Sequence, residues 1–217
     1  MELNRIYNMD CLIGMKDIPD GSVDMIWTDP PYNVGKDYGI YKDNLFDEEY
    51  LKWCDKWIKE AKRISENKMA IFTPTKYILQ YWNMLGEDYK QIILSWTPYG
   101  TFRGNFINQY SSILVNVKPK NKIKNVWNNC QMSGLGYFFK ENNYGNPGYT
   151  SEDITSRIIN NFTCEKDIVC DLFSGTGTTA VIAVRYNRRY ICMELNPKDC
   201  DIATKRISAE MAQMKLF

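Results

Sequence analysis

The chain has no histidine among its 217 residues. That absence removes Ser-His-Asp and Cys-His nucleophilic sites, imidazole acid–base chemistry and the common histidine-containing zinc sites. Carboxylates, hydroxyls, amides and backbone groups must carry whatever chemistry there is, and no metal site is expected. No stretch approaches the ~18 consecutive apolar residues that a membrane span needs. The first residues, MELNRIYNMD, lack the basic-then-apolar pattern of a secretion signal, so the expectation is a cytoplasmic protein with no membrane contact. The cysteines (Cys11, Cys54, Cys130, Cys164, Cys170, Cys192 and Cys200) are odd in number and contain no CxxC pair. They read as buried small hydrophobes or free thiols, not as a disulfide frame.

What is present describes a globular domain. Hydrophobic residues make up 44% and charged residues 24%, ordinary values for a chain with a substantial core. No internal repeat or linker divides it, so residues 1–217 are expected to form one domain. The net charge of +1 hides an uneven distribution. Between Pro98 and Thr150 six basic residues (Arg103, Lys118, Lys120, Lys122, Lys124 and Lys140) face one acid, Glu141. The same segment holds ten of the chain's 30 aromatic residues and ten asparagines. Taken alone, the run Lys118-Pro-Lys-Asn-Lys-Ile-Lys124 reads as a solvated loop.

Periodicity predicts alternating strands and helices. Ile6–Met9 and the continuous apolar run Val23–Thr28 read as strands, the second of the kind buried in parallel sheets. Residues 11–19 make a helical turn or two. Asp47–Glu66 reads as a helix with an acidic first turn and Tyr50, Leu51, Cys54, Trp57, Ile58, Ala61 and Ile64 at helical spacing. Lys68–Thr73 is a strand and Thr75–Leu85 a helix; Gln91–Trp96 and Ser112–Val117 are strands bracketing a loop. Ser151–Phe162 is a helix capped by Thr150 or Ser151. Asp167–Asp171, Thr178–Tyr186, Arg189–Glu194 and Pro197–Met211 continue as strand, helix, strand, helix. This alternation predicts an α/β sheet covered by helices.

Two stretches carry the chemistry. The first is Thr28-Asp-Pro-Pro-Tyr-Asn33, directly after an apolar strand. Two prolines remove two backbone donors and fix two φ angles, and the residue before each is pushed out of the helical region. Asp29, Pro30, Pro31 and Tyr32 therefore form a stiff turn that presents its side chains; by itself it is equally a rigid strand exit with no chemistry. The second is Asp171-Leu-Phe-Ser-Gly-Thr-Gly-Thr-Thr-Ala180, which follows a strand and opens a helix, with Glu194 at the end of the next strand. Glycines let a backbone approach a ligand, and a carboxylate on the second strand can accept both ribose hydroxyls. A tight βα turn is the plainer reading. GxGxxA also matches a dinucleotide fingerprint, so an NAD(P)-dependent oxidoreductase competes. Against it, Asp171 would repel a pyrophosphate and suits a ligand with a positive amino group. In addition, the 23 residues after Glu194 leave room for one helix only, so the rest of the sheet must come from N-terminal strands.

With both motifs in hand, the chain resembles the exocyclic-amine DNA methyltransferases, of the branch in which DPPY precedes FxGxG. The matching stretches are YNMDC, SVDMIWTDPPYN, KMAIFTP and DIVCDLFSGTGTTAVIAVRYNRRYICMELNP. The resemblance implies a Rossmann-like, S-adenosylmethionine-dependent methyltransferase fold with a mostly parallel, seven-stranded-type sheet and helices on both faces. It implies methyl transfer to the N6 amine of adenine in DNA, with base flipping; N4-cytosine methylation is the alternative. Asp29, Pro30, Pro31 and Tyr32 take the catalytic positions. Asp10, Cys11, Asp29, Thr150, Asp171, Phe173, Ser174, Gly175, Gly177, Thr178, Thr179, Glu194 and Asn196 take cofactor positions. Residues 98–150 fall where this branch keeps its target-recognition segment, with Arg103 reading bases and Lys118, Lys120, Lys122 and Lys124 holding phosphates. DNA is the expected partner; a homodimer and a companion restriction endonuclease are further partners open to such a protein. One departure stands out. Relatives usually carry a His-Pro-Thr-x-Lys-Pro-like stretch where this chain reads Gly148-Tyr-Thr-Ser-Glu-Asp153, so Thr150 keeps a hydroxyl while Glu152 replaces the lysine. That change motivates a third reading, a catalytically impaired DNA-binding relative.

Overall fold

Two uninterrupted apolar runs, Met25–Thr28 and Met69–Thr73, lie side by side and parallel at the middle of the sheet, every residue buried. The computed structural model describes residues 1–95, 101–103, 106–108, 110–128 and 150–214, with the backbone alone at 101–103 and 106–108. In chain order the elements are β1 (Arg5–Asn8), α1 (Cys11–Gly14), β2 (Met25–Thr28), α2 (Asp47–Ser65), β3 (Met69–Thr73), α3 (Ile78–Leu85), β4 (Lys90–Ser95), β5 (Thr101–Arg103), β6 (Phe106–Asn108), β7 (Tyr110–Val115), β8 (Val126–Trp127), α4 (Glu152–Phe162), β9 (Ile168–Asp171), α5 (Thr178–Arg185), β10 (Arg189–Glu194) and α6 (Pro197–Met214).

The main sheet has the order β1-β10-β9-β2-β3-β7-β4-β8, and β5 pairs with β6 in a separate hairpin. All neighbours are parallel except β7, which runs against both β3 and β4. Period-2 alternation divides the core between the two faces. Ile26, Met69, Ile71 and Cys170 pack under Tyr50, Cys54, Trp57 and Ile58 of α2. Met25, Trp27, Ala70, Phe72 and Val169 pack under Ile154, Ile158 and Ile159 of α4. Full burial of one such side chain contributes roughly 1.5–3 kcal/mol. Helix α2 has Asp47, Glu48 and Glu49 in its first turn and Lys62 and Arg63 in its last, each matched to the local end of the helix dipole. Lys62 also ties α2 to α3, because its ammonium donates to the Met84 and Leu85 carbonyls at 2.9 Å and closes the end of that helix.

The structure departs from the sequence expectations in particulars. The run at Val23 becomes strand only at Met25, the helix expected from Thr75 begins with a 3₁₀ turn at Thr75–Tyr77, and α6 continues to Met214. The strand expected at Gln91–Trp96 starts at Lys90, with Trp96 outside the described residues, and that expected at Ser112–Val117 is Tyr110–Val115. The loop between those two strands contains the β5–β6 hairpin, and a two-residue eighth strand, β8, joins the expected seven. The 98–150 segment is therefore partly sheet: β7 buries Ile113, Leu114 and Val115 in the core.

Topology then places the site. From β9 the chain moves to β10 on one side; from β2 it moves to β3 on the other. The sheet order reverses between β9 and β2, and in open α/β sheets ligands bind beyond the carboxyl ends of the strands at such a point. The turn at Asp29 follows β2 and the glycine loop follows β9, so adjacency of two strands unites motifs about 140 residues apart.

Candidate active site

The Asp29 turn is held from both ends. The Pro31 carbonyl accepts a 2.8 Å hydrogen bond from the Tyr50 hydroxyl of α2. Asn33, in the left-handed region at φ 55°, donates its side-chain amide to the Leu45 carbonyl at 2.9 Å and to Tyr77 at 3.1 Å. Between these anchors, Asp29 Oδ1 accepts from the Tyr32 hydroxyl at 2.5 Å and Oδ2 from the Thr150 hydroxyl at 2.7 Å. Burial pushes the Asp29 carboxyl above its ordinary value, and the two hydroxyls and Lys36 only partly offset it. Burial, then the Asp29 charge, hold the Tyr32 phenol well above its own. The Tyr32 ring stands 6.3 Å from that of Phe72, with Lys36 Nζ 5.6 Å from its centre.

The glycine loop is organised by two carboxylates. Asp171, at the end of β9, accepts from Thr28 at 2.8 Å, from the Phe173 amide at 3.1 Å and from Thr179 at 2.5 Å. Burial lifts its pKa to about 6, against those hydrogen bonds and with a contribution from the Asp29 charge. Glu194, at the end of β10, accepts from the amides of Gly175 and Asn196, both at 2.8 Å; burial also raises its pKa. Asp10 accepts from the Leu12 amide at 2.8 Å and so caps α1, which sets Cys11 with a buried thiol that burial keeps protonated.

These groups surround two adjoining cavities. Asp10, Cys11, Asp29, Pro30, Pro31, Tyr32, Thr150, Phe173, Gly175 and Glu194 line the larger. Asp171, Ser174, Thr178 and Thr179 join Asp29, Thr150, Phe173 and Gly175 around the smaller. Two expected positions lie outside both. Gly177 sits at φ 82°, and a Cβ there would meet the Ala203 Cβ of α6 at 2.6 Å, so glycine lets the loop and α6 pack closely. Asn196 accepts from the Lys198 amide at 3.1 Å and caps α6. Within the smaller cavity the buried Ser174 hydroxyl has no partner among the described residues, and the Tyr41 hydroxyl in the larger has none either. A buried polar atom left in this state costs about 1–3 kcal/mol, and both residues stand in the cavity walls.

Sequence reasoning missed one wall entirely. Lys36, Tyr38, Ile40 and Tyr41 line the larger cavity, on a loop closed by Asp43, which is buried and accepts from the amides of Asn33, Val34 and Lys36 at 2.6, 2.9 and 3.1 Å. The only advance signal was an acid ten residues beyond an asparagine in a Gly- and Tyr-rich stretch.

The expected DNA contacts separate. Arg103 lies in β5, where side chains are outside the described residues. Lys118, Lys120, Lys122 and Lys124 are exposed, but they follow the end of β7. Because β7 is antiparallel, its first residues lie at the carboxyl edge, with Ser111 in the cavity wall, and its last residue leads to the opposite edge. The Lys120 amide donates to Asn161 at 2.8 Å, near the C-terminal end of α4. Ser151, at the other end of that helix, lines the cavity, and 11 helical residues span about 16 Å. The lysine run therefore starts at the edge of the sheet opposite the cavity. Glu152 likewise presents no bare charge to the cavity: it pairs with Arg206 at 2.9 Å and Arg185 at 3.1 Å.

Comparison with known proteins agrees with this geometry. The family model for DNA methylase, N6_N4_Mtase, matches residues 23–205. Type II methyltransferase M.HpaI of Haemophilus parainfluenzae is 28% identical over 239 residues, covering 95% of this chain and 74% of its own. DNA adenine methyltransferase YhdJ of Escherichia coli K12 is 25% identical, covering 99% of this chain and 88% of its own. Among solved structures, the cytosine-N4-specific PvuII DNA methyltransferase superposes with a TM-score of 0.67 at 15% identity, covering 93% of this chain and 85% of its own.

Proposed function

We propose that this chain, which belongs to the N6/N4 DNA methylase family, methylates the exocyclic N6 amine of adenine in DNA with S-adenosylmethionine as cofactor. The observation that carries the reading is the convergence of Asp29, with its stiff proline turn, and the glycine loop on one pair of cavities at the point where the sheet order reverses. The residues around the smaller cavity fit the cofactor's polar end, with the unpartnered Ser174 hydroxyl and the Asp171 carboxylate in its walls. Asp10 and Glu194 line the larger cavity, and on this reading they take the nucleoside end. When bound, S-adenosylmethionine supplies the methyl group as an activated sulfonium.

This chain's residues prepare the other reactant. An adenine amine is a weak nucleophile because its lone pair is delocalised into the ring, and it becomes reactive when acceptors draw both N–H bonds out of the ring plane. Asp29 and the Pro30 carbonyl are those acceptors. Tyr32 and Thr150 already donate to Asp29, but each carboxylate oxygen has a second lone pair, so a substrate N–H is accepted without breaking either bond. The two hydroxyls fix the carboxylate before substrate arrives, which makes it a preorganised acceptor. Tyr32 offers a ring face to a base swung out of the duplex. Once methylated, the amine carries a surplus proton, and Asp29, with an affinity for protons raised by burial, is within reach to take it.

Digestion of DNA incubated with the enzyme and cofactor, followed by nucleoside mass analysis, tests the base assignment. N6-methyladenine is the expected product; N4-methylcytosine alone would transfer the same geometry to the cytosine branch, to which PvuII methyltransferase belongs. Sequencing the modified positions gives the target site.

A further inference from the structure

We propose that Arg206 is a positioning residue for the cofactor cradle, and that Glu152 holds it in that role. The two walls of the smaller cavity come from different parts of the chain. One is the loop Ser174–Thr179; the other is Thr150, two residues before Glu152 and hydrogen-bonded to Asp29. Arg206, on α6 behind the loop, touches the loop itself and Glu152, two residues beyond Thr150. Its Nη1 donates to the Thr176 carbonyl at 2.7 Å and lies 3.2 Å from the Thr178 hydroxyl. Its Nη2 donates to Glu152 Oε1 at 2.9 Å. The arginine side chain is only 8% exposed, and Glu152 binds Arg185 with its other oxygen.

An ordinary pair between helices has no reason to reach the backbone of a ligand loop. Here one planar fork points one arm at a loop carbonyl and the other at a carboxylate in the first turn of α4, and a lysine's single ammonium cannot reproduce that two-way geometry. The chain of contacts therefore runs from Thr176 through Arg206 and Glu152 to the segment that ends on Asp29. It sets the separation of the walls and places a positive charge behind a cavity that contains the Asp29 and Asp171 carboxylates. It also gives a physical role to Glu152, the acid that departs from the motif the resemblance led one to expect. Arg185 and Glu210 extend the same ionic cluster at 2.8 Å without touching the loop, so they serve as an internal control.

This inference rests on the S-adenosylmethionine reading above, and the test separates the two. Titration calorimetry of the full chain with S-adenosylhomocysteine should show Arg206→Met binding about tenfold more weakly than the parent, the size of a lost charge-assisted hydrogen bond. Arg206→Lys should be weakened about threefold or more, and Glu210→Gln should bind like the parent. In turnover, the KM for the methyl donor should rise with affinity loss while kcat at saturation stays within about twofold. If Arg206→Met does not fold, Arg206→Lys and Glu152→Gln carry the comparison, both expected to weaken binding. Parent-like affinity in the folded Arg206 variants overturns the inference alone, as does an equal loss in Glu210→Gln, which would mark a general stability effect. A parent chain that does not bind S-adenosylhomocysteine overturns the cofactor reading and this inference with it.

Discussion

The two edges of the sheet are built on different terms. At the amino edge the chain enters β1, β3, β9 and β10 through short turns that place Asn4, Glu66, Asn67, Lys166 and Asn187 in the left-handed region. Their backbone groups are closed locally, as where the Lys166 amide donates to Asn187 and the Asn67 amide to Lys62. At the carboxyl edge the turns are longer, carboxylates are buried with raised proton affinity, and the hydroxyls of Ser174 and Tyr41 lack partners among the described residues. One edge is finished by the fold; the other is completed by what binds there. The most conspicuous charge run, Lys118–Lys124, belongs to the finished edge.

The sharpest way to break this contrast is Asp29→Ala. If the carboxyl edge is preorganised for transfer, kcat should fall by two or more orders of magnitude, on the order of 3 kcal/mol or more for a lost fixed acceptor. Affinity for S-adenosylhomocysteine should stay within a few fold. Retained turnover in single-turnover kinetics would remove Asp29 from the chemistry.

A second measurement asks whether the carboxyl edge costs stability when nothing is bound. The Asp171 pKa rises to about 6 from an ordinary 3.8. Between those values the folded chain holds a proton that the unfolded chain has released, so this residue's contribution to stability falls as pH rises through the window. The full difference is on the order of 3 kcal/mol. Chemical denaturation of the ligand-free chain at pH 4, 5 and 6 should show that decline, and Asp171→Asn, which cannot ionise, should lack this residue's share of it. An unchanged slope in the variant would show that Asp171 has the same pKa folded and unfolded.

Much of the fold was legible because it is local. Buried runs such as Met69–Thr73, the acidic first turn of α2 and the Ser151 cap are written in neighbouring residues. The motif residues were legible for a related reason: a proline pair and a glycine loop at strand ends must form exposed turns whatever surrounds them. What stayed hidden depends on pairing across the chain. Nothing in Tyr110–Val115 reveals that this strand runs against its neighbours, yet that reversal decides which edge the lysines occupy. Arg206 lies 54 residues from Glu152 and 30 from Thr176, and Asp43 acts through three backbone amides that carry no side-chain signature. Gly177 is the converse case: its place in a motif suggested ligand contact, while its need for glycine also comes from Ala203, which a Cβ there would meet.

The smallest expected effect is the most direct check on the two edges. The chain leaves β4 at Ser95 and returns at Tyr110, and it leaves Asn128 and returns at Thr150; all four points lie at the carboxyl edge, as the pairing of β4 with β7 and β8 requires. Ser111 and Thr150, next to two of these points, line the cavity, while Lys118–Lys124 start about one helix length away. Replacing Lys118, Lys120, Lys122 and Lys124 with glutamine should therefore leave affinity for target DNA within about twofold, with the slope of log K against log salt changed by less than about one. Four phosphate contacts would instead flatten that slope by about four and weaken matched and unmatched DNA alike. That result would mean the duplex reaches round to the amino edge, and the division between a finished edge and a binding edge would have to be redrawn.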